Sequence, residues 1–446
     1  MYHIKKDKFF ALLLITLSIC VIILPIDNFF LANIHFYILM GIAIVDWMFN
    51  KSFSLLTVWI AGVVYVILSD IILYHYDTLD TWGDKFVLLA IDAVLLGYFL
   101  TKPHKKNAGV IQEEHHEVRS PFIFISVMVL IYIIYLYNLI PYAIQSFLRG
   151  GRSVEMMDEN NMLFSTFLGG YHVFPLVIAF YIIRIRHKSV WKAVLISLPI
   201  FFIDFVSGTR FRMLFTIMPF LLVSTILRID NVNIKRMISL AILIIFVMYG
   251  ANYMLHTRRS GFGNYVESEE TEIRHPHSDC FSVKVCKECS PEGTIGMMNI
   301  LHNHLQYNEP TYGLSTGFIF YFWIPRSLWP NKPTMLNHWL PRKYMNVGEG
   351  HSTSSGFMGE PYADFGYFAF VVYFMMGVLL RKGNNILVKY DYGRANVYTS
   401  LYTSLLIPFV FFAVRSPVTG TCYTLMQWLM LYLFSKFFVA RKTNKL

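Results

Sequence analysis

The residues best suited to chemistry in this chain are arginines set in short polar stretches between long apolar runs. Arg210 and Arg212 stand in SGTRFRM, Arg258 and Arg259 follow a further apolar run, Arg326 follows Pro325, and Arg415 follows another run. A guanidinium is always charged, and its planar fork matches phosphate oxygens. Several of them at one membrane face would hold a lipid diphosphate. The alternative is ordinary snorkelling to lipid headgroups. Both readings suit Arg258 and Arg259, whereas the very short turn around Arg210 keeps it near the helices and favours function. The run FIFYFWIPRSLWPNKP, residues 318–333, joins Lys332 to Arg326. Pro325, Pro330 and Pro333 rule out a membrane helix there, and the aromatics argue against a flexible loop. The run is expected to be an ordered interfacial segment holding both cations against an anion.

Glu360 and Asp364 flank Pro361 and Tyr362 at the start of an apolar run. A carboxylate there could act as general base toward a sugar hydroxyl. It could equally be a helix N-terminal acid favoured by the macrodipole. His302 and His304 could serve as base or phosphate donor, although histidines on such a helix are more often plain polar-face residues. Asp46, Asp70, Asp92, His172 and Asp204 fall inside or near apolar runs, where an ionisable group is a functional candidate by default. Asp46 and Asp70 are close enough to helix ends to reach water, and Asp204 could pair with Arg210. Cys280, Cys286 and Cys289 share one polar stretch, which in an oxidising compartment predicts one disulfide and a spare thiol. His275 and His277 make a zinc site conceivable, but the spacing fits no tight ligand template. No cofactor is expected: the chain carries no Walker loop, no dinucleotide fingerprint and no DxD pair.

Apolar elements must position these groups. The chain has 446 residues, 55% hydrophobic, 17% aromatic and 15% charged, against roughly 25% charged in a soluble domain. This composition predicts an all-α integral membrane protein. At about 20 apolar residues per crossing, about twelve spans are expected, near 9–25, 29–49, 53–74, 85–100, 122–139, 163–183, 190–206, 211–227, 237–256, 362–380, 397–413 and 422–440. The first lacks a small-residue cleavage site and reads as a span rather than a signal. Lysines and arginines gather in alternate connections, beginning with Lys5, Lys6 and Lys8 and ending with Arg441, Lys442 and Lys445. By the positive-inside rule both termini are cytoplasmic. The net charge of +10 therefore belongs to cytoplasmic loops, and no nucleic acid is expected as partner. The domain organisation is a bundle over 1–256, a large outward loop with short helices over 257–360, and further spans over 361–446. Within the loop, Ile295, Met298, Ile300, Leu301 and Leu305 have helical spacing, and Gly356, Gly359 and Gly366 mark turns.

SGTRFRMLF after a span, a long outer loop, FYFWIPRSLWPNKP and then GEPYADFG entering the next span together resemble the oligosaccharide repeat-unit polymerases, the Wzy-type O-antigen and related surface-polysaccharide polymerases. The resemblance covers residues 207–380 and the topology. IPR-x-LWP-x-KP is its most specific part. It implies a multi-pass enzyme of the bacterial inner membrane with its active site facing the periplasm. Such an enzyme transfers a glycan from undecaprenyl diphosphate to a lipid-linked repeat. Donor, acceptor and bilayer are the implied partners, with a chain-length-regulating co-polymerase as a further candidate. Carried over, Glu360, Arg210 and Arg326 are the expected catalytic positions. Arg212, Arg258, Arg259, Lys332, Tyr362 and Arg415 are the expected substrate contacts. The nearest rival is an O-antigen ligase. A flippase or transporter for the lipid-linked unit would show internal repeats and interrupted helices, and the chain has neither.

Overall fold

The computed structural model describes residues 2–23, 28–50, 54–68, 72, 82–103, 116–118, 190–206, 294–324, 328–344, 353–389 and 397–441, with isolated positions between 123 and 178. Its elements are α1 (Tyr2–Ile23), α2 (Asn28–Asn50), α3 (Leu55–Val63), α4 (Trp82–Leu100), β1 (His116–Val118), α5 (Val190–Val206), α6 (Thr294–Tyr307), α7 (Phe318–Tyr321), α8 (Leu336–Tyr344), α9 (Gly359–Phe365), α10 (Ala369–Lys389), α11 (Val397–Arg415), α12 (Pro417–Phe438) and β2 (Val439–Arg441). The fold is thus helical, with one short antiparallel ladder of β1 against β2. The chain forms two compact units. One comprises Met1–Asn107, Ile273–Lys389 and Phe409–Cys422, the other Ala108–Glu272, Tyr390–Pro408 and Tyr423–Leu446. The second unit holds the ladder and α5, whose Ile196 carbonyl accepts a hydrogen bond from the Tyr132 hydroxyl at 2.6 Å.

The first unit is built on α4 and α10, which run parallel. Trp82, opening α4, donates its indole N–H to Tyr367, just ahead of α10, at 3.2 Å. At the other ends Asn384 Nδ2 donates to the Tyr98 hydroxyl at 3.1 Å. Two glycines let the backbones meet. A Cβ on Gly97 would lie 2.0 Å from the Phe374 carbonyl oxygen, and one on Gly377 would lie 1.9 Å from that of Val94. α1 lies antiparallel to α4, with Phe10 against Phe99 at 5.2 Å and Ser18 donating to Asp92 at 2.8 Å. α2 approaches α4 through His35, 3.4 Å from Asp92. α3 begins at Ser54, whose hydroxyl accepts from Thr57 N–H at 3.1 Å, an N-cap. Its Leu55 N–H donates to Asn384 at 3.2 Å.

By length and apolar composition, two helices among the described residues could cross a membrane: Phe29–Met48 and the helical run Gly356–Val388. This is fewer than the twelve expected. Charge is the reason in two cases: α1 opens on Lys5, Lys6, Asp7 and Lys8, and α4 carries Asp84, Lys85 and Asp92. The expected spans near 163–183, 211–227 and 237–256, and the three loop cysteines, lie outside the described residues apart from Ile178. The run 356–388 is not one rod. Gly366 takes φ +54°, a conformation that only glycine adopts without strain. It divides α9 from α10, whose 21 residues extend roughly 32 Å. Phe368, just ahead of α10, and Val371, Met375, Leu379 and Ile386 along it are exposed at spacings of one helix face.

At the α10 end remote from Gly366 a buried ion pair ties the first helix to the last of this group. Arg381 Nη2 lies 2.8 Å from Asp7 Oδ2, and the guanidinium sits 4.6 Å over the Tyr98 ring. Removing one partner leaves a buried charge alone, at a cost of about 3–5 kcal/mol. Arg381→Met should therefore lower the melting temperature of the detergent-solubilised protein, and adding Asp7→Leu should restore most of it. A single variant as stable as wild type would show that the pair contributes nothing.

Candidate functional site

The site begins at a turn whose every bend has a physical cause. Thr353 N–H donates to the Asn337 carbonyl at 3.1 Å. Ser354 donates its hydroxyl to the Arg415 carbonyl and accepts from Gly356 N–H at 3.0 Å. Gly356 has φ +65°, so the turn needs glycine there. Gly359 is needed for space: a Cβ would stand 1.7 Å from Ser355 Oγ and 2.3 Å from Ser355 Cβ. Pro361 occupies the first turn of α9, where its missing N–H costs nothing. The Met358 carbonyl accepts from the buried Tyr373 hydroxyl at 2.9 Å. The sequence GEPY thus opens a short helix and delivers Glu360 into the interior.

Glu360 is 3% exposed. Its Oε1 accepts from Ser416 Oγ at 3.1 Å, and Ser416 Oγ accepts in turn from Asn337 Nδ2 at 2.9 Å. Oε2 is buried and has no hydrogen-bond partner. Buried polar atoms are rarely left so, and Oε2 retains unused hydrogen-bonding capacity.

Asp364, one helical turn on, has the opposite character. Its Oδ1 accepts from Thr311 Oγ1 at 2.5 Å and from Ser315 N–H at 2.9 Å. Its Oδ2 accepts from Thr316 N–H at 2.7 Å and Thr316 Oγ1 at 2.5 Å. Thr311 N–H adds a bond to the Ala363 carbonyl at 2.9 Å. Asp364 folds the 311–317 segment onto α9 with both oxygens occupied. The two acids, equivalent by spacing, are separated by their partners.

α6 is the helix expected from the loop's apolar spacing, with Ile295, Met298 and Leu301 buried. Its His302 stacks on Trp82, ring centroids 3.8 Å apart and 11° from parallel, and its Nδ1 meets the Tyr362 hydroxyl at 2.8 Å. Burial holds His302 below the usual histidine range. His304 binds the Tyr344 hydroxyl and packs edge-on against Trp339. Tyr362, an expected substrate contact, is itself 2% exposed, with its ring beside Phe86 at 4.7 Å. Both histidines are thus hydrogen-bonded to tyrosine hydroxyls, and Tyr362 is packed among aromatic rings.

Lys332 is turned inward. Its ammonium donates to the carbonyls of Phe322 at 2.6 Å and Ile324 at 2.9 Å, with the Phe318 ring 5.1 Å away. α7 ends at Tyr321, and Lys332 supplies a donor to two carbonyls just beyond it. Phe318 is buried against Val418 and Cys422, which packs the start of the segment, while Phe320, Trp323 and Leu328 are exposed. Arg415 closes α11, half-buried, and its carbonyl receives Ser354. Arg210, Arg212, Arg258, Arg259 and Arg326 lie outside the described residues.

Asn337 and Ser416 were not anticipated. Neither belongs to a motif, and only the fold brings them to Glu360. Among the described residues no group of three or more His, Cys, Asp or Glu side chains could hold a metal ion. Comparison with known proteins finds no matching family model, no similar curated protein and no similar solved structure.

Proposed function

We propose that this chain is a membrane glycosyltransferase that joins undecaprenyl-diphosphate-linked oligosaccharide repeat units into O-antigen or a related surface polysaccharide, at the periplasmic face of the bacterial inner membrane. The observation that carries the reading is Glu360, a buried carboxyl with one oxygen held by Ser416 and the other buried without a hydrogen-bond partner. Transfer of a glycan to a sugar hydroxyl needs a group to take the hydroxyl proton. The departing diphosphate needs cations already in place, and Arg210 and Arg326 are the proposed donors. Membrane residence is supported by the exposed apolar face of α10 and by helix directions. α1 antiparallel to α4, and α4 parallel to α10, is the alternation that the lysine-rich connections require. In that arrangement Trp82, His302 and Glu360 share the outward end, and Asp7 and Arg381 the inward one.

The test is the lipopolysaccharide gel of a strain lacking this protein. Loss of a polymerase leaves a single repeat on the lipid A core. Loss of a ligase, or of an export protein, leaves bare core, and bare core would overturn the proposal.

A further inference from the structure

We infer that Asn337 and Ser416 are positioning residues that make Glu360 Oε2 the atom that receives the acceptor's proton. The inference rests on the transferase reading and deepens it. Its basis is the direction of a hydrogen-bond chain. The Asn337 amide nitrogen can only donate, so Ser416 Oγ, 2.9 Å away, accepts from it. The one proton on Ser416 Oγ is then directed to Glu360 Oε1 at 3.1 Å. Oε1 is held as an acceptor, and the carboxyl plane is fixed. Oε2, buried and without a partner, remains as the reacting oxygen.

Asn337 is held through its amide nitrogen and its backbone carbonyl, while its own Oδ1 is buried without a partner. Asn337, Ser416 and Glu360 are each nine-tenths buried or more, so water competes weakly for their hydrogen bonds. The Asn337 carbonyl is bonded to Thr353 N–H at 3.1 Å, which registers α8 on the turn that leads to Glu360. Ser416 is fixed at the junction of α11 and α12, where its N–H donates to the Phe412 carbonyl at 3.1 Å. A general base must be aimed before it can work, since proton transfer depends on geometry first. In the reaction, the acceptor hydroxyl oxygen bonds to the anomeric carbon of the donor. The bond from that carbon to the diphosphate oxygen breaks, and its electron pair leaves with the diphosphate. The hydroxyl proton passes to Oε2.

The experiment uses the full chain in lipid nanodiscs with lipid-linked repeat units extracted from the strain lacking it. Ser416→Ala and Asn337→Asp are compared with wild type. The second places an acceptor where Asn337 donates, which turns the Ser416 proton away from Glu360. Both should lower kcat about tenfold or more with donor KM little changed, and Ser416→Thr, which keeps the hydroxyl, should recover most of it. The infrared band of the Glu360 side chain, isolated as the difference between wild type and Glu360→Gln, should move in Ser416→Ala and stay in Ser416→Thr. Wild-type kcat and an unmoved band in Ser416→Ala, where Glu360→Gln is inactive, would overturn the positioning role. Full activity of Glu360→Gln would instead remove this carboxyl, and with it the positioning role, from the mechanism, whereas a wild-type protein that joins no repeat units in the nanodiscs would overturn the transferase reading on which the inference rests.

Discussion

Glu360→Gln is expected to abolish the polysaccharide ladder at a normal level of protein, whereas Asp364→Asn is expected to lower the amount of folded protein. The two carboxyls lie one helical turn apart, yet the expected failures differ in kind. Glutamine keeps the shape of glutamate, and its carbonyl oxygen can accept the Ser416 hydroxyl that now binds Oε1. What it cannot do is take a proton. If Oε2 is the general base, turnover should fall by about 10²–10⁴-fold while lipid-linked donor still binds. At Asp364 an amide nitrogen would face donors on one side, against either Thr311 and Ser315 or Thr316. Hydrogen bonds to a charged group contribute about 1.5–3 kcal/mol each, so losing a pair of them frees the 311–317 segment from α9. Complementation of the null strain, with ladders compared at matched protein level and melting temperatures measured on the purified variants, separates the outcomes. A full ladder from Glu360→Gln would remove this carboxyl from the mechanism.

The difference between these acids also marks the limit of sequence reading. Both stand just ahead of one apolar run, and nothing local tells a capping acid from a reactive one. The partners that decide lie far along the chain, about 50 residues before Asp364 in the 311–316 segment and 56 residues after Glu360 at Ser416. The hydrogen-bond chain through Asn337 was illegible for the same reason. What sequence did convey was periodic or steric. The spacing of Ile295, Met298 and Leu301 predicted α6, and Gly356 and Gly366 marked real positive-φ turns. Lys332, beside prolines and an arginine, suggested an anion contact, and its ammonium donates to the carbonyls of Phe322 and Ile324, acceptors that nothing in its own neighbourhood of sequence announces. Tyr362 suggested a ring for substrate and is buried beside Phe86. Hydropathy alone suggested about twelve spans, of which two helices among the described residues have the length and apolar composition to cross a membrane. Where helices pair through buried polar groups, as α1 and α4 do at Ser18 and Asp92, composition understates what packing can hold.

The packing of α4 on α10 gives the largest expected structural effect. Gly377→Val should leave little folded protein, because the atoms it would strike are backbone and not side chain. A Cβ at that position would stand 1.9 Å from the Val94 carbonyl oxygen and 2.8 Å from Tyr98 N. A flexible side chain could rotate away, but these atoms move only if the helix does. The contact is reciprocal, since a Cβ on Gly97 would meet the Phe374 carbonyl oxygen at 2.0 Å, so no tilt relieves one clash without tightening the other. Close backbone approach through small residues is how helices associate when lipid removes the hydrophobic drive between them. Overpacking a core with even one methylene commonly costs about 1–3 kcal/mol, and here a whole side chain meets a carbonyl. Parting the helices would also pull Arg381 from the Tyr98 ring and Trp82 from Tyr367, the contacts that fix the two ends of the pair. Gly296→Ala is the control: it lies in α6 with no atom within 4 Å of the added Cβ, and helix propensity favours alanine there by about 1 kcal/mol. Size-exclusion profiles and melting temperatures of the solubilised proteins should show Gly296→Ala at or above wild type and Gly377→Val aggregated or absent. A Gly377→Val protein that melts with wild type would mean that α4 and α10 do not touch through these glycines.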